Sequence, residues 1–103
     1  MSLLEHGQFS DPALLIMASL AGGEKHGYAI MEDVQQMAGV HLGPGTLYGA
    51  LTRLEEHGLI EALPASDRRR PYRLTAAGEM LLREQLKSLE HFVTTGLGRL
   101  AHI

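Results

Sequence analysis

Gly58 splits this chain into two patterns, and the split limits what it can fold into. Upstream, apolar residues recur at helical spacing. Downstream, residues 59–63 and 71–74 are short runs of strand character joined by residues 64–70. A parallel crossover needs about a dozen residues or more, so these strands can pair only as an antiparallel hairpin. The connection carries Arg68, Arg69 and Arg70, which gives the hairpin a basic tip. Pro71 has no N–H to give a ladder and is expected at a strand edge. The fold class this predicts is mainly α with a small β-hairpin.

Three helices are expected before Gly58. Ser10 or Asp11 caps the first, with Pro12 in its opening turn. Leu14, Leu15, Met17, Ala18 and Leu20 leave that helix nearly all apolar, hence buried, and Gly22-Gly23 ends it. The second begins at residues 25–27. It sets Ile30, Met31, Val34, Met37 and Ala38 on one face, opposes them with Glu32, Asp33, Gln35 and Gln36, and ends at Gly39. Residues 40–42 allow no more than one turn of strand. The third spans 44–57, opening at Pro44 with Leu47, Leu51 and Leu54 at i, i+4 and i+7. Gly58 stops it, because glycine accepts the left-handed conformation that commonly ends helices.

The far side of this third helix is unusual. At about 100° per residue, Gly45, Tyr48, Gly49, Thr52, Arg53 and Glu56 point away from the leucines. A solvated face ordinarily carries Glu, Lys and Gln, and each glycine costs about 0.5–1 kcal/mol against alanine. Such a face is shaped for close approach to something.

Thr75 opens the last and longest helix, with Glu79 in its first turns. Leu82, Leu86, Leu89, Val93, Gly96, Leu100 and Ile103 alternate steps of four and three, a heptad seam that Leu81, Phe92 and Leu97 widen. Three short helices and a hairpin offer limited room to cover it, so self-association is the economical outcome. Gly96 and Gly98 each lower helix propensity by about 1 kcal/mol, which predicts fraying or a bend near Thr94.

Composition narrows the function classes. At 103 residues the chain is one domain by size. It has no cysteine, which excludes disulfides and thiolate metal sites and fits a reducing cytoplasm. The six histidines, at positions 6, 26, 41, 57, 91 and 102, never fall three or four apart, so no metal site is expected. His26 and His57 instead suit cap or phosphate-adjacent positions. No apolar run approaches a membrane span and no signal peptide is read, so a cytoplasmic location is expected. No catalytic residues and no cofactor are expected, because Ser/His/Asp order, phosphate-binding glycine loops and paired inward carboxylates are all missing. A net charge of −3 does not by itself suggest nucleic acid, but four of the nine Lys and Arg residues fall within residues 68–73.

Two helices, a short turn, a third helix and an arginine-tipped hairpin form the ground plan of a winged helix-turn-helix. In that arrangement one helix enters the major groove, while arginines on the hairpin reach phosphates or a narrow minor groove. The residues then carry a resemblance. The run 43–48 (Gly-Pro-Gly-Thr-Leu-Tyr), Leu51, Arg53-Leu54-Glu55 and Gly58-Leu59-Ile60 resemble the recognition-helix signature of PadR-like transcriptional regulators. His26-Gly27-Tyr28 is similar to that family's second helix. Residues 69–75 (Arg-Arg-Pro-Tyr-Arg-Leu-Thr) with Ala77-Gly78 resemble its wing and the start of its last helix. The resemblance covers residues 14–86 and is with the compact members. It implies a homodimeric bacterial repressor, paired through the C-terminal helix and released from double-stranded DNA by a small hydrophobic or aromatic effector. Two features depart from the family. Gly49 stands where a polar or basic residue is frequent, and without tryptophan the planar-drug site of some compact members does not carry over.

The expected organisation is an N-terminal arm at 1–9, a winged helix-turn-helix DNA-binding domain at 10–75 and a C-terminal dimerisation helix at 76–103. The expected DNA-binding residues are Tyr28, Gly45, Thr46, Tyr48, Gly49, Thr52, Arg53, Arg68, Arg69 and Arg70. Several have a plainer reading beside that one. Tyr48 is either a packed aromatic or a phosphate contact, Thr46 either a cap or a phosphate donor, and Tyr28 part core and part contact. Arg53 pairs with Glu56 or Glu32, or else reads guanine while Thr52 touches a thymine methyl. The expected dimerisation residues are Leu82, Leu86, Leu89, Phe92, Val93, Leu97 and Leu100. The competing reading is a winged-helix protein-interaction module that turns its arginine wing on acidic partners.

Overall fold

The computed structural model describes residues 11–102, so the arm at 1–9, the Ser10 alternative for the first cap and Ile103 of the seam lie outside the described residues. Helix α1 (Pro12–Ala21) is capped by Asp11, whose carboxylate accepts from the amides of Ala13 at 3.0 Å and Leu14 at 3.5 Å. Leu14, Leu15, Ile16, Met17 and Leu20 are all buried, so α1 is wrapped on most sides by the rest of the domain. Ser19 is buried among them; its hydroxyl donates to Asp33 at 2.6 Å, and Lys25 donates to its carbonyl at 2.6 Å.

Strand β1 (Lys25–His26) leads directly into α2 (Gly27–Ala38). Gly39 closes α2 in the left-handed conformation, at φ 68°, and its amide donates to the Gln35 carbonyl. Helix α3 (Pro44–Glu56) buries Leu47, Ala50, Leu51 and Leu54 against the core. His57 caps its far end, with a ring nitrogen 2.7 Å from the Arg53 carbonyl, and Gly58 follows at φ 71°.

Strands β2 (Ile60–Ala62) and β3 (Pro71–Leu74) pair antiparallel, with Ile60 opposite Leu74 and Ala62 opposite Tyr72. The hairpin expectation needs one correction. The sheet has three strands in the order β1-β3-β2, because Lys25 and His26 pair with Tyr72 and Pro71. Pro71 stands at the edge of its strand as expected, but that strand is the central one of the sheet. The ladder tolerates it because it is the first residue of β3, where its carbonyl accepts from the Leu63 amide at 2.8 Å.

Helix α4 (Ala76–Leu100) starts at Thr75, whose hydroxyl oxygen accepts from the Gly78 amide at 3.1 Å while its proton goes to the Gly58 carbonyl at 2.6 Å. Gly78 is buried against the Leu59 carbonyl, which any Cβ would strike. This close approach brings α4 down onto the sheet. The helix runs unbroken past Gly96 and Gly98 to Leu100, so it does not fray at the glycines.

The seam on α4 splits between inside and outside. Leu82 belongs to the core with Ile16, Ile30, Leu47, Leu51 and Ile60, and Leu89 packs partly against it. Leu86, Phe92, Val93, Leu97 and Leu100 are exposed, Phe92 at 73% and Leu97 at 62%.

Candidate nucleic-acid interface

The outer face of α3 forms one edge of the site. A Cβ at Gly45 would meet nothing within 4 Å, and at Gly49 only the end of Arg53, whose Nη1 lies 3.8 Å away. The glycine-bearing face read from the sequence is therefore bare at Gly45 and partly overlain by the Arg53 side chain at Gly49. No side chain caps the first turn of α3; Gly43 holds the cap position, which leaves the exposed Thr46 outside a capping role. Thr52 donates its hydroxyl proton back to the Tyr48 carbonyl at 2.9 Å, leaving the oxygen as an acceptor. Arg53 makes no ion pair with Glu56 or Glu32; among the described residues the salt bridges are Lys25–Asp33 and Arg73–Glu61.

Tyr48 leans from α3 across the start of α2. Its hydroxyl lies 2.5 Å from where a Cβ of Gly27 would stand, so residue 27 has to be glycine for the two helices to meet this way. The ring remains about half exposed, which reconciles its two sequence readings: one side packs and the other is open. Tyr28, one residue further along α2, is 62% exposed.

The wing closes the site. Residues 66–69 form a tight two-residue turn in which Ser66 and Arg69 exchange amide and carbonyl hydrogen bonds of 2.8 and 2.9 Å. Its central residues Asp67 and Arg68 have φ of 51° and 64°, the primed-turn geometry that glycine or asparagine ordinarily fills. An arginine held there costs about 1–2 kcal/mol. The turn folds the arginines back toward α2, where Arg69 Nη1 comes within 3.3 Å of His26 Nε2.

A cleft of about 260 Å³ opens where these elements meet. Tyr28, Tyr48 and Tyr72 line it, and they are the chain's three tyrosines. Arg68, Arg69 and Arg70 line it from the wing, with His26 and Gly27 at its back. Burial pushes the Tyr72 phenol above its ordinary value; Glu55 and Tyr48 push the same way and Arg70 opposes. The structure thus brings Tyr28, Tyr48 and the wing arginines together, and leaves Gly45, Thr46, Gly49, Thr52 and Arg53 along one continuous α3 face beside them.

His26 and Tyr72 were missing from the sequence-based set of site residues. His26 caps α2, its Nδ1 accepting from the Ala29 amide at 3.4 Å, as its position before Gly27 suggested. Nothing in the sequence places it against Arg69, 43 residues away. The other candidate residues lie elsewhere: the exposed seam of α4 is a separate surface, and Leu82 is inside the domain. No helix among the described residues is long and apolar enough to cross a membrane.

Comparison with known proteins agrees with this architecture. Residues 16–84 match the model of the transcriptional regulator PadR-like family. The chain is 45% identical over 80 residues to an uncharacterized 37.1 kDa protein in a Streptomyces fradiae transposon, covering 78% of this chain but only 23% of that protein. It is 35% identical over 92 residues to a transcriptional regulator of Mycobacterium tuberculosis, covering 86% of this chain and 85% of the relative. A PadR family transcription regulator from Clostridium difficile superposes with a TM-score of 0.73 at 28% identity, over 86% of this chain and 96% of that one. The family match spans most of the chain, and it belongs to the PadR-like family of transcriptional regulators.

Proposed function

We propose that the chain is a sequence-specific DNA-binding repressor that works as a homodimer on a pseudo-palindromic operator. The observation that carries this reading is the convergence of three elements on one side of the molecule. The bare face of α3, the exposed tyrosines and the arginine wing share an edge although the whole chain is net acidic at −3. Helix α3 enters the major groove with Tyr48, Thr52 and Arg53 flanking its glycines, and the wing lies along the backbone. In this reading residues 10–75 form the DNA-binding domain and the helix from residue 76 onward the dimerisation element.

The exposed apolar run from Phe92 to Leu100 supports pairing with a second copy, because isolated large hydrophobics are common on surfaces but a contiguous stripe marks an interface. A small hydrophobic or aromatic effector that releases the dimer from DNA completes the proposal, and rests on family membership. Selection of bound duplexes from a random pool tests it. The expected product is an imperfect palindrome with half-sites about one helical turn apart. A pool that remains random after selection would overturn sequence-specific recognition and favour the protein-interaction module.

A further inference from the structure

Leu59 joins the last turn of α3 to the first turn of α4. Its amide donates to the Leu54 carbonyl inside α3 at 3.0 Å, and its carbonyl accepts from the Thr75 amide at 3.1 Å. The Thr75 hydroxyl doubles the link. It donates to the Gly58 carbonyl at 2.6 Å and accepts from the Gly78 amide at 3.1 Å, so one side chain both ties α4 to the end of α3 and caps α4. Gly78 sits directly over the Leu59 carbonyl, where a side chain would part the two helices. The wing leaves and returns between these points, with Ile60 opposite Leu74, so the joint closes the hairpin at its base. Elsewhere α4 packs chiefly on α1 and β3. Apolar packing is non-directional and resists separation of the elements more than their rotation. The hydrogen bonds of the joint fix the angle between α3 and α4.

We propose that Thr75 is a positioning residue for operator recognition: its bond to Gly58 sets the angle between the recognition helix and the dimerisation helix, and with it the half-site spacing that the protein accepts. The proposal rests on the reading above, a homodimer paired through α4 with one α3 in each half-site. In that arrangement each recognition helix is aimed from the paired α4 helices through one joint. Helix α3 has 13 residues, which at about 1.5 Å each make a lever of about 20 Å. A tilt of about 10° at the joint moves the Pro44 end by about 3.4 Å, the rise of one base pair. A small error of angle thus becomes an error of register. Thr75 lies outside the cleft of tyrosines and arginines, so it acts on spacing and not on the contacts themselves.

The substitution Thr75→Asp separates the link from the cap. Aspartate is among the best N-caps and accepts from the Gly78 amide, but when ionised it has no proton for the Gly58 carbonyl. Thr75→Ser retains both bonds. Because the chain has no cysteine, Glu56→Cys on α3 and Glu84→Cys on α4, both exposed, take a pair of nitroxide labels. Their separation is measured by double electron–electron resonance with unlabelled chain in excess. The expected distance distribution is narrow for the parent and for Thr75→Ser and broader for Thr75→Asp, with thermal unfolding nearly unchanged. Without labels, affinity is compared between a selected operator and the same half-sites moved apart or together by one base pair. The ratio of these affinities cancels any uniform effect of the added charge. It should shrink about two- to tenfold in Thr75→Asp, the worth of one hydrogen bond, and return in Thr75→Ser. Thr75→Val, of similar shape but without the hydroxyl, carries the same expectation should the aspartate variant not fold. A distribution in Thr75→Asp as narrow as the parent's would overturn the joint. A broadened distribution with an unchanged affinity ratio would overturn the role in spacing. A parent that sediments as a monomer, selects no operator or binds all three spacings equally overturns the dimer-on-palindrome reading and the spacing role with it, and the label distances then decide the joint alone.

Discussion

Two glycines one helix apart have opposite jobs. Gly27 is buried under the Tyr48 hydroxyl, whereas Gly49 faces outward with only the mobile end of Arg53 nearby. Gly27→Ala should destabilise the domain by about 1–3 kcal/mol in denaturant unfolding, because Tyr48 must leave its seat to admit the methyl. Gly49→Ala should stabilise α3 by about 0.5–1 kcal/mol and weaken operator binding, since a methyl there holds the helix off the base edges. Equal operator affinity would remove close approach from the account of α3. Tyr72 supplies a third test at this scale. An acid whose folded pKa is raised keeps its proton longer in the folded state, so its contribution to stability is intact below about pH 10 and lost as pH rises beyond it. An ultraviolet titration should show one phenol ionising above the ordinary value, and Tyr72→Phe should abolish that phase.

At the scale of the element, the wing is the part whose local preferences and function disagree. Arg68 sits at φ 64° in a turn that glycine would fill without strain. Arg68→Gly should therefore raise stability by about 1 kcal/mol while weakening duplex binding and flattening its dependence on salt. A stability loss would mean that the tip is not under strain. The sequence already marked this element as a short basic hairpin, because chain length between two strand runs is a local property. It could not reveal β1. Two residues, Lys25 and His26, have no detectable period, and they become a strand only by pairing with Tyr72 and Pro71. The same long-range pairing makes β3, which Pro71 opens, the central strand of the sheet.

At the scale of the whole molecule, α4 joins the domain to the surface proposed for pairing. Leu82 and Leu97 look alike in the heptad pattern, yet one is 5% exposed and the other 62%. They should respond differently to substitution. Leu82→Ala should cost the domain about 2–5 kcal/mol, the usual range for a buried leucine. Leu97→Glu should leave a folded chain that sediments as a monomer and has lost cooperative operator binding. A dimer with Leu97→Glu would place the interface elsewhere. The molecule measures 55 × 32 × 20 Å, elongated enough for α4 to carry its apolar end away from the core that buries Leu82.

What the sequence determined by itself were the features set by near neighbours. Helix spans followed from period and from caps at Asp11, Gly39, Thr75 and Gly58. The basic tip followed from three adjacent arginines, and family membership from motifs that lie on these same short stretches. Tertiary structure decided whatever depends on residues far apart in the chain. It sorted the α4 leucines into core and surface, because only packing against α1 and the sheet says which turns are covered. It carried α4 unbroken through Gly96 and Gly98, where propensity alone predicted fraying or a bend. And it gathered Tyr28, Tyr48, Tyr72, His26 and the wing arginines from α2, α3, the sheet and the turn into one cleft, a placement that no local pattern encodes.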